Sequence, residues 1–201
     1  ITNRLVGSEM CIRDSISELR GMLGQEVLLD AAQMGSRAHR LRSFWSNMAF
    51  PEHLQEILKY VQRDDSIRVS QILADGWGTQ LVQKTDKPPH YVCNIRGQEM
   101  RALPTFCKVR GSRAFRDKGP GMLTRTIAGD STSAYREPDY PEKLAAMGFS
   151  SDMLNVPGVS VEEAHALVGN AIDLTALTRL VALAESVAQS QVCLLYTSPS
   201  P

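Results

Sequence analysis

The chain has 201 residues, of which 43% are hydrophobic and 22% charged, so it can bury a core and form one or two globular units. Its 22 lysine and arginine residues balance 22 aspartate and glutamate residues, which excludes a strong overall field for polyanions. No uninterrupted apolar run approaches the roughly 18 residues of a membrane span, and we expect no membrane contact.

The two ends of the chain are related through their coding sequence. Residues 5–14 can be back-translated into codons whose reverse complement, in a shifted frame, encodes residues 193–201. The DNA resembles a transposase-type sequencing adapter, so we interpret residues 1–15 and 193–201 as translated adapter, the alternative being a natural extension and tail. The rest of the chain holds two cysteines, Cys93 and Cys107, which form no disulfide framework or zinc spacing. We therefore expect no metal site and an intracellular location.

The first third of the remaining chain alternates helix and strand patterns. Residues 16–24 favour a short helix that closes at a glycine, and residues 26–31 favour a buried strand, although this run is short enough to be helical. A loop rich in positive charge then leads to a strand candidate at residues 43–47. Pro51 precedes an amphipathic helix over residues 52–60. Helix beside strand predicts an α/β or α+β unit.

Residues 73–132 are rich in glycine, proline and threonine, with short β-prone runs at 81–82, 90–93 and 105–109. This composition predicts an irregular, strand-containing region with long loops. From Arg96 to Arg125 there are eight lysine or arginine residues and two acidic residues, an excess of six positive charges. Glycines within this run would let the backbone approach a phosphate chain, but a solvated basic loop has the same composition.

The last third predicts three helices. Residues 141–149 favour a helix that ends at Gly148, and Ser160 with Glu163 forms a capping-box pattern at the start of the next helix. The final helix follows Gly169-Asn170 and should pack an apolar stripe on the sheet. The stripe consists of Leu174, Leu177, Leu180, Val181 and Ala184.

One segment, residues 30–47, combines a basic loop with an aromatic strand. Its Arg-x-Arg pair, Arg40 and Arg42, is followed closely by Phe44 and Trp45. The segment resembles the strand–basic loop–strand motif of the cytosine-5 DNA methyltransferases, in the form found in the eukaryotic de novo and domain-rearranged enzymes.

A second segment resembles the family helix Glu-(x)-Arg-x-x-Gly-(Phe/Tyr)-Pro that follows the target-recognition region. Here Glu142 and Met147 precede Gly148-Phe149. Lys143-Leu144 replaces the usual arginine spacing, and Ser150 stands where proline is common, so this segment departs from the family pattern.

A third segment, Gly169-Asn170-Ala171-Ile172, is similar to the Gly-Asn-(Ser/Ala)-(Val/Ile) motif that begins the last helix of the family. The three segments occur in family order over about residues 26–185. The resemblance implies an α/β fold: the C-terminal part of a Rossmann-like, S-adenosylmethionine-dependent methyltransferase domain with an inserted small, irregular, β-rich target-recognition lobe. Residues 16–72 would end the catalytic subdomain, 73–136 would be the recognition region and 137–192 would return to the catalytic subdomain.

The resemblance also implies an activity, methyl transfer from S-adenosylmethionine to C5 of a cytosine flipped out of double-stranded DNA, in the nucleus. That chemistry needs a cysteine thiolate in a Pro-Cys loop to attack C6. The sequence contains neither a Pro-Cys step nor a Glu-Asn-Val strand, which in the family lie upstream. We therefore expect the chain to be inactive without an N-terminal half of the same domain.

The resemblance assigns roles to individual residues. Arg42 would donate to the cytosine O2, and Arg40 would brace the site or a phosphate, although both could be surface arginines in a loop. Arg37 and His39 would meet backbone phosphate, with a plain solvated loop as the alternative for His39. The cofactor edge would be Gly169, Asn170, Ala171 and Ile172, which could otherwise be a simple helix start. Bases or phosphates of DNA would meet Arg110, Gly111, Ser112, Arg113 and Arg116.

A second class of function is compatible with the same residues. The chain could be a non-catalytic DNA-binding module derived from such a domain, for example one within a mobile-element polyprotein. A Pro-Cys and a Glu-Asn-Val stretch in the upstream reading frame would favour the enzyme. A stop codon or an unrelated upstream domain would favour the binding module.

Overall fold

The computed structural model describes residues 17–46, 50–83, 93–107, 112–126, 133–150 and 158–197. These residues fall into two compact units. The first unit takes in the described residues of Ile1–Leu29, Arg42–Tyr60 and Ala182–Pro201, and the second those of Asp30–Leu41 and Val61–Val181. The second unit thus contains the whole predicted recognition region together with most of the segment that follows it.

The first unit contains a short sheet, two helices and the C-terminal part of the last helix of the chain. Helix α1 covers residues 17–23 and ends at Gly24, whose φ of 80° suits glycine. Strands β1 (Val27–Asp30) and β2 (Leu41–Phe44) form a two-stranded antiparallel sheet, and α2 (Pro51–Leu58) begins with its proline in the first turn. The predicted helices and the first strand are confirmed.

The second strand begins earlier than residues 43–47, the predicted range. The reason is local: the Ala31 N–H donates to the Arg40 carbonyl over 3.1 Å, so pairing resumes as soon as the basic loop closes. In the core of this unit, Val27 of β1 packs with Leu54 of α2 and with Ala184 and Val187 of the last helix. This packing confirms the expected burial of the final helix against a strand.

The second unit contains a three-stranded antiparallel sheet. Its strands are β3 (Gly78–Thr79), β4 (Leu123–Thr126) and β5 (Ser133–Arg136), in the order β3-β4-β5. The mixed α/β character is therefore as predicted, and short strands do occur in the irregular region.

The particular strand runs predicted in that region are mostly wrong. Leu81 forms only an isolated bridge with Glu99, and residues 105–107 are not in a strand. Most of the 90–93 run lies outside the described residues. Short β-prone runs next to prolines and glycines pair only where tertiary structure supplies a partner strand, and propensity does not reveal the partner.

Three helices complete the fold: α3 (Tyr140–Ala146), α4 (Val161–Asn170) and α5 (Leu174–Thr197). The predicted capping box of α4 is confirmed, because the Ser160 side chain accepts from the Glu163 N–H. Gly148 follows α3 with a φ of 85°, and a side chain there would run into Thr175. Glycine is therefore required where α3 turns beneath the start of α5.

The apolar stripe of α5 is rotated from the predicted one. Leu180 and Ala184 are buried as expected, but Val181 is 39% exposed, and between residues 174 and 189 the other buried apolar positions are Ala176 and Val187. The helix begins at an N-cap, Asp173, and this start sets which positions face inward. Hydrophobicity alone does not fix that phase.

The stretch Val161–Gln189, 29 residues long, contains an 18-residue window with a mean hydropathy of 1.4, enough by length and composition to cross a membrane. This is weak support for a span, because core helices of soluble proteins pass the same test. The stretch also consists of two helices, and a buried acid, Asp173, stands at the break between them.

A buried carboxylate ties β5 to α3 in the second unit. Glu142 is 4% exposed and accepts two hydrogen bonds from Arg136, over 2.7 and 2.6 Å. It also accepts from the backbone N–H groups of Asp139 and Ala74. The Arg136 guanidinium lies 4.4 Å over the ring of Trp77. Burial alone would raise the pKa of Glu142, but the hydrogen bonds from Arg136 and the backbone outweigh it, and the pKa is lowered.

We predict that Glu142→Gln lowers the free energy of unfolding at pH 7 by roughly 2 kcal/mol, because an amide cannot accept from four donors. A lowered pKa stabilises the fold above the ordinary pKa of the carboxyl, and this stabilisation is lost as the pH falls through the lowered value. Urea unfolding at several pH values should therefore show the difference shrinking below about pH 4. The exposed neighbour Glu162→Gln is the matched control, and an equal loss in both variants would contradict the prediction.

Candidate functional site

The basic loop of residues 30–40 is closed by one carboxylate. Asp30 Oδ1 accepts from the backbone N–H groups of Ala32 and Arg40, over 3.1 and 2.8 Å, and Oδ2 accepts from His39 Nδ1 over 2.8 Å. Burial would raise the pKa of Asp30, but its bond to His39 and its backbone donors outweigh burial, and the pKa is lowered. The carboxylate therefore remains charged and holds both ends of the loop together.

Arg40 lies at the end of this loop and is 3% exposed. Its Nη2 donates to the carbonyl oxygen of Gly169 over 2.8 Å. That carbonyl belongs to the last turn of α4, where helix carbonyls carry a partial negative charge that attracts a cation. The contact joins the Arg-x-Arg segment to the Gly-Asn segment across 129 positions of sequence.

Gly169 and Asn170 end α4, whereas the family resemblance predicted that they begin the last helix. This prediction was wrong because the Ser160 capping box starts a helix that continues to Asn170, and α5 begins only at Leu174. Ala171 takes an extended conformation, with φ −62° and ψ 153°, and so breaks the helix. Asn170 and Ile172 are exposed, while Gly169 and Ala171 are half-buried.

Arg42 lies on β2, is exposed and belongs to the first unit, whereas Arg40 belongs to the second. The two predicted catalytic arginines therefore differ in kind. Arg40 is buried and donates to a backbone carbonyl, whereas Arg42 is exposed.

His39 is 1% exposed, which contradicts the solvated-loop interpretation and leaves no open imidazole face for a phosphate. Its Nδ1 donates to Asp30, and its Nε2 lies 3.4 Å from the side-chain amide of Asn94. Arg37 is also engaged within the chain: Nε donates to the Arg68 carbonyl and Nη2 to the Gln71 side chain. Both residues shape the loop in this structure.

Of the predicted recognition residues, Arg110 and Gly111 lie outside the described residues. Ser112 immediately precedes a 3-10 helix, Arg113–Phe115, whose Arg113 is exposed, as is Arg116. A surface depression of about 540 Å³ is lined by these two arginines together with Ala114, Asp117, Gly119 and Pro120. The structure thus presents two of the predicted cations side by side on one concave surface.

Sequence reasoning missed a second buried acid, Asp173. Its Oδ2 lies 2.6 Å from Ser36 Oγ, which is also 3.0 Å from the carbonyl oxygen of Ala146. The Ser36 hydroxyl has one proton and can donate to only one of these acceptors. If it donates to Ala146, the carboxyl must donate to Ser36, which requires protonated Asp173. Burial raises the pKa of Asp173, in agreement with this arrangement.

The structure also shows the surroundings of Lys143, at which the sequence departs from the family motif. Its ammonium is buried, donates to His165 Nδ1 over 3.0 Å and forms an ion pair with Glu137. It lies 5.8 and 5.7 Å from the ring centroids of Phe106 and Phe115. The arginine that pairs with Glu142 comes instead from position 136, one strand earlier.

No group of three His, Cys, Asp or Glu side chains within the described ranges could hold a metal ion. Cys93 and Cys107 are both free thiols. Within the described residues, the candidate site therefore consists of side chains that form hydrogen bonds and ion pairs.

The comparisons with known proteins add no family. No protein-family model and no curated protein matches this chain. The resemblance described above therefore rests on the motif residues themselves.

We predict that Asp173→Asn, whose amide can donate to Ser36 at every pH, is about 1 kcal/mol more stable than the wild type at neutral pH. A raised pKa stabilises the fold below the ordinary aspartate pKa, and the stabilisation is lost as the pH rises through the raised value. Urea unfolding from pH 4 to pH 8 should accordingly show a weaker pH dependence for the variant. Asp75→Asn, at an exposed position, is the control. A less stable Asp173→Asn protein with an unchanged pH profile would contradict the prediction.

Proposed function

We propose that this chain is the C-terminal part of a cytosine-5 DNA methyltransferase domain, Rossmann-like when complete, with residues 73–136 as its recognition region. The observation that carries the proposal is the hydrogen bond from Arg40 to the Gly169 carbonyl. Arg40 is 3% exposed and lies against the end of a helix 129 positions away in sequence, whereas an arginine in a surface loop would be exposed to solvent. The contact is the kind of convergence expected if the two segments border one catalytic cleft.

In this proposal Arg42 and Arg40 have different roles. The exposed guanidinium of Arg42 donates to O2 of the flipped cytosine as negative charge develops during attack by the cysteine. Arg40 is a positioning residue, because its Nη2 is already committed to Gly169. A rigid, permanently charged fork suits both tasks.

Gly169, Asn170, Ala171 and Ile172 fit one edge of a cofactor site. They form a partly exposed backbone segment at the end of α4, with small residues that allow close approach. Asn170 supplies a polar side chain, and the remaining contacts to S-adenosylmethionine would come from the upstream half of the domain. The bound cofactor supplies the methyl group.

Because the sequence lacks a Pro-Cys nucleophile, we predict no transfer of labelled methyl groups to duplex DNA by this chain alone. Co-expression with an upstream half that carries the Pro-Cys loop should restore transfer. Arg42→Ala in the restored complex should lower the rate of methyl transfer roughly 100-fold or more, as loss of a charge-stabilising donor does. Lys59→Gln, which removes an exposed charge just after α2, serves as the control. Transfer by the chain alone, or full activity of Arg42→Ala, would contradict the proposal.

The second candidate is a non-catalytic DNA-binding module, which the exposed pair Arg113 and Arg116 around one depression favours. Both candidates require contact with DNA phosphates. The upstream reading frame distinguishes them, because only the enzyme is expected to have a Pro-Cys and a Glu-Asn-Val stretch there.

We predict that the full chain binds duplex DNA weakly and that binding weakens steeply with salt, because each phosphate contact releases counterions. Each cation that contacts a phosphate should contribute about 0.9 to the slope of log affinity against log salt. Removing both Arg113 and Arg116 by substitution with glutamine should therefore lower the slope by about 2 in fluorescence anisotropy titrations. Binding that is flat between low and high salt would count against DNA contact.

A further inference from the structure

We propose that Gln80 is a positioning residue that holds the basic turn, residues 112–121, in the shape that presents its cations to a nucleic-acid backbone. The inference rests on the DNA contact proposed above. Gln80 itself carries no charge and lies outside the basic turn in sequence. Its role follows from where its side-chain amide donates.

The basic turn has an unusual backbone. Asp117 and Lys118 are consecutive non-glycine residues with φ of 51° and 59°, in the left-handed region that such residues rarely adopt. A Cβ at Gly119 would lie 2.7 Å from the carbonyl oxygens of Arg113 and Ala114, and a side chain at Gly121 would run into the Phe115 ring. The turn is therefore wound tightly on itself and needs outside contacts to keep this shape.

Two anchors supply those contacts. Phe115 is 4% exposed and packs with Phe106, whose ring centroid is 5.6 Å away, so it fixes one side of the turn in the core. On the other side the Gln80 amide nitrogen lies 2.7 Å from the Gly119 carbonyl oxygen and 3.1 Å from that of Met122. The carbonyl oxygen of Lys118 is 3.4 Å from the same nitrogen.

Three backbone carbonyls thus converge on one side-chain amide that directly follows β3. An NH₂ group donates two hydrogen bonds, so it can serve two of these carbonyls fully and the third weakly. Without it, the half-buried Met122 carbonyl would lose this donor, and the Gly119 carbonyl would keep only the N–H of Met122, 3.0 Å away, which favours opening of the turn. The side-chain amide of Gln80 therefore supplies donors to the strained part of the turn.

The consequence is a fixed spacing of three exposed cations. Arg113 and Arg116 line the depression, and Lys118 Nζ lies 5.1 Å over the Tyr135 ring of β5. The acid among them, Asp117, lies beside Arg116 at 3.8 Å and is 92% exposed, so the pair is weak in water. Cations held at fixed spacing can contact successive phosphates together, which is what a steep salt dependence reports.

The test is the salt dependence of duplex binding by the full chain with Gln80→Leu, a substitution of similar size that removes the donors and leaves the net charge unchanged. We expect the slope of log affinity against log salt to fall by about 1 to 2, with about tenfold weaker binding at low salt. Gln189→Leu, at an exposed position on α5, is the matched control and should bind as the wild type does. A 20-base-pair duplex and fluorescence anisotropy suffice.

A second variant guards against simple unfolding. Gly119→Ala disturbs the same turn through its clash with the Ala114 carbonyl, also without a change of charge, and should reduce the slope in the same way. Circular dichroism establishes that each variant is folded at the temperature of the titration. Wild-type binding with unchanged slopes in folded Gln80→Leu and Gly119→Ala would overturn the role of Gln80 while leaving the proposed function standing. A wild-type chain that does not bind DNA would overturn both.

Discussion

The candidate site depends on the closure of the basic loop by the Asp30 carboxylate. This carboxylate receives His39 Nδ1 and the backbone N–H of Arg40, so it fixes the loop end from which the Arg40 guanidinium reaches the Gly169 carbonyl. Loss of the Asp30 side chain would leave a buried imidazole and a buried N–H group without their acceptor. The burial of His39 and the direction of Arg40 are thus two results of one interaction.

The second unit places several ionisable groups in its interior, and each is matched to a particular partner. Glu142 is held charged by Arg136, whereas burial raises the pKa of Asp173, which lies 2.6 Å from Ser36 Oγ. Networks of this kind stabilise a fold only when every member is satisfied, and then they define one arrangement sharply.

The departures from the family motif have physical compensations. Glu142 of α3 forms a bidentate pair with a guanidinium, and that guanidinium comes from Arg136 on β5. Lys143 occupies a different environment, to one side of the Phe106 and Phe115 rings and beside His165. A sequence motif does not reveal this change of partner, because the partner of a buried acid depends on its spatial neighbours and can come from another secondary-structure element.

The sequence by itself determined the elements with strong local signals: helices with proline, capping-box or glycine boundaries, the apolar strand β1 and the mixed α/β class. It also marked Arg40 and Gly169 as candidates, through their motifs. Only the tertiary structure decided that Gly169 ends a helix, that His39 is buried and that Gln80 supports the basic turn. Capping and periodicity act over a few residues and are legible in sequence, whereas burial and hydrogen-bond partners depend on segments brought together by folding.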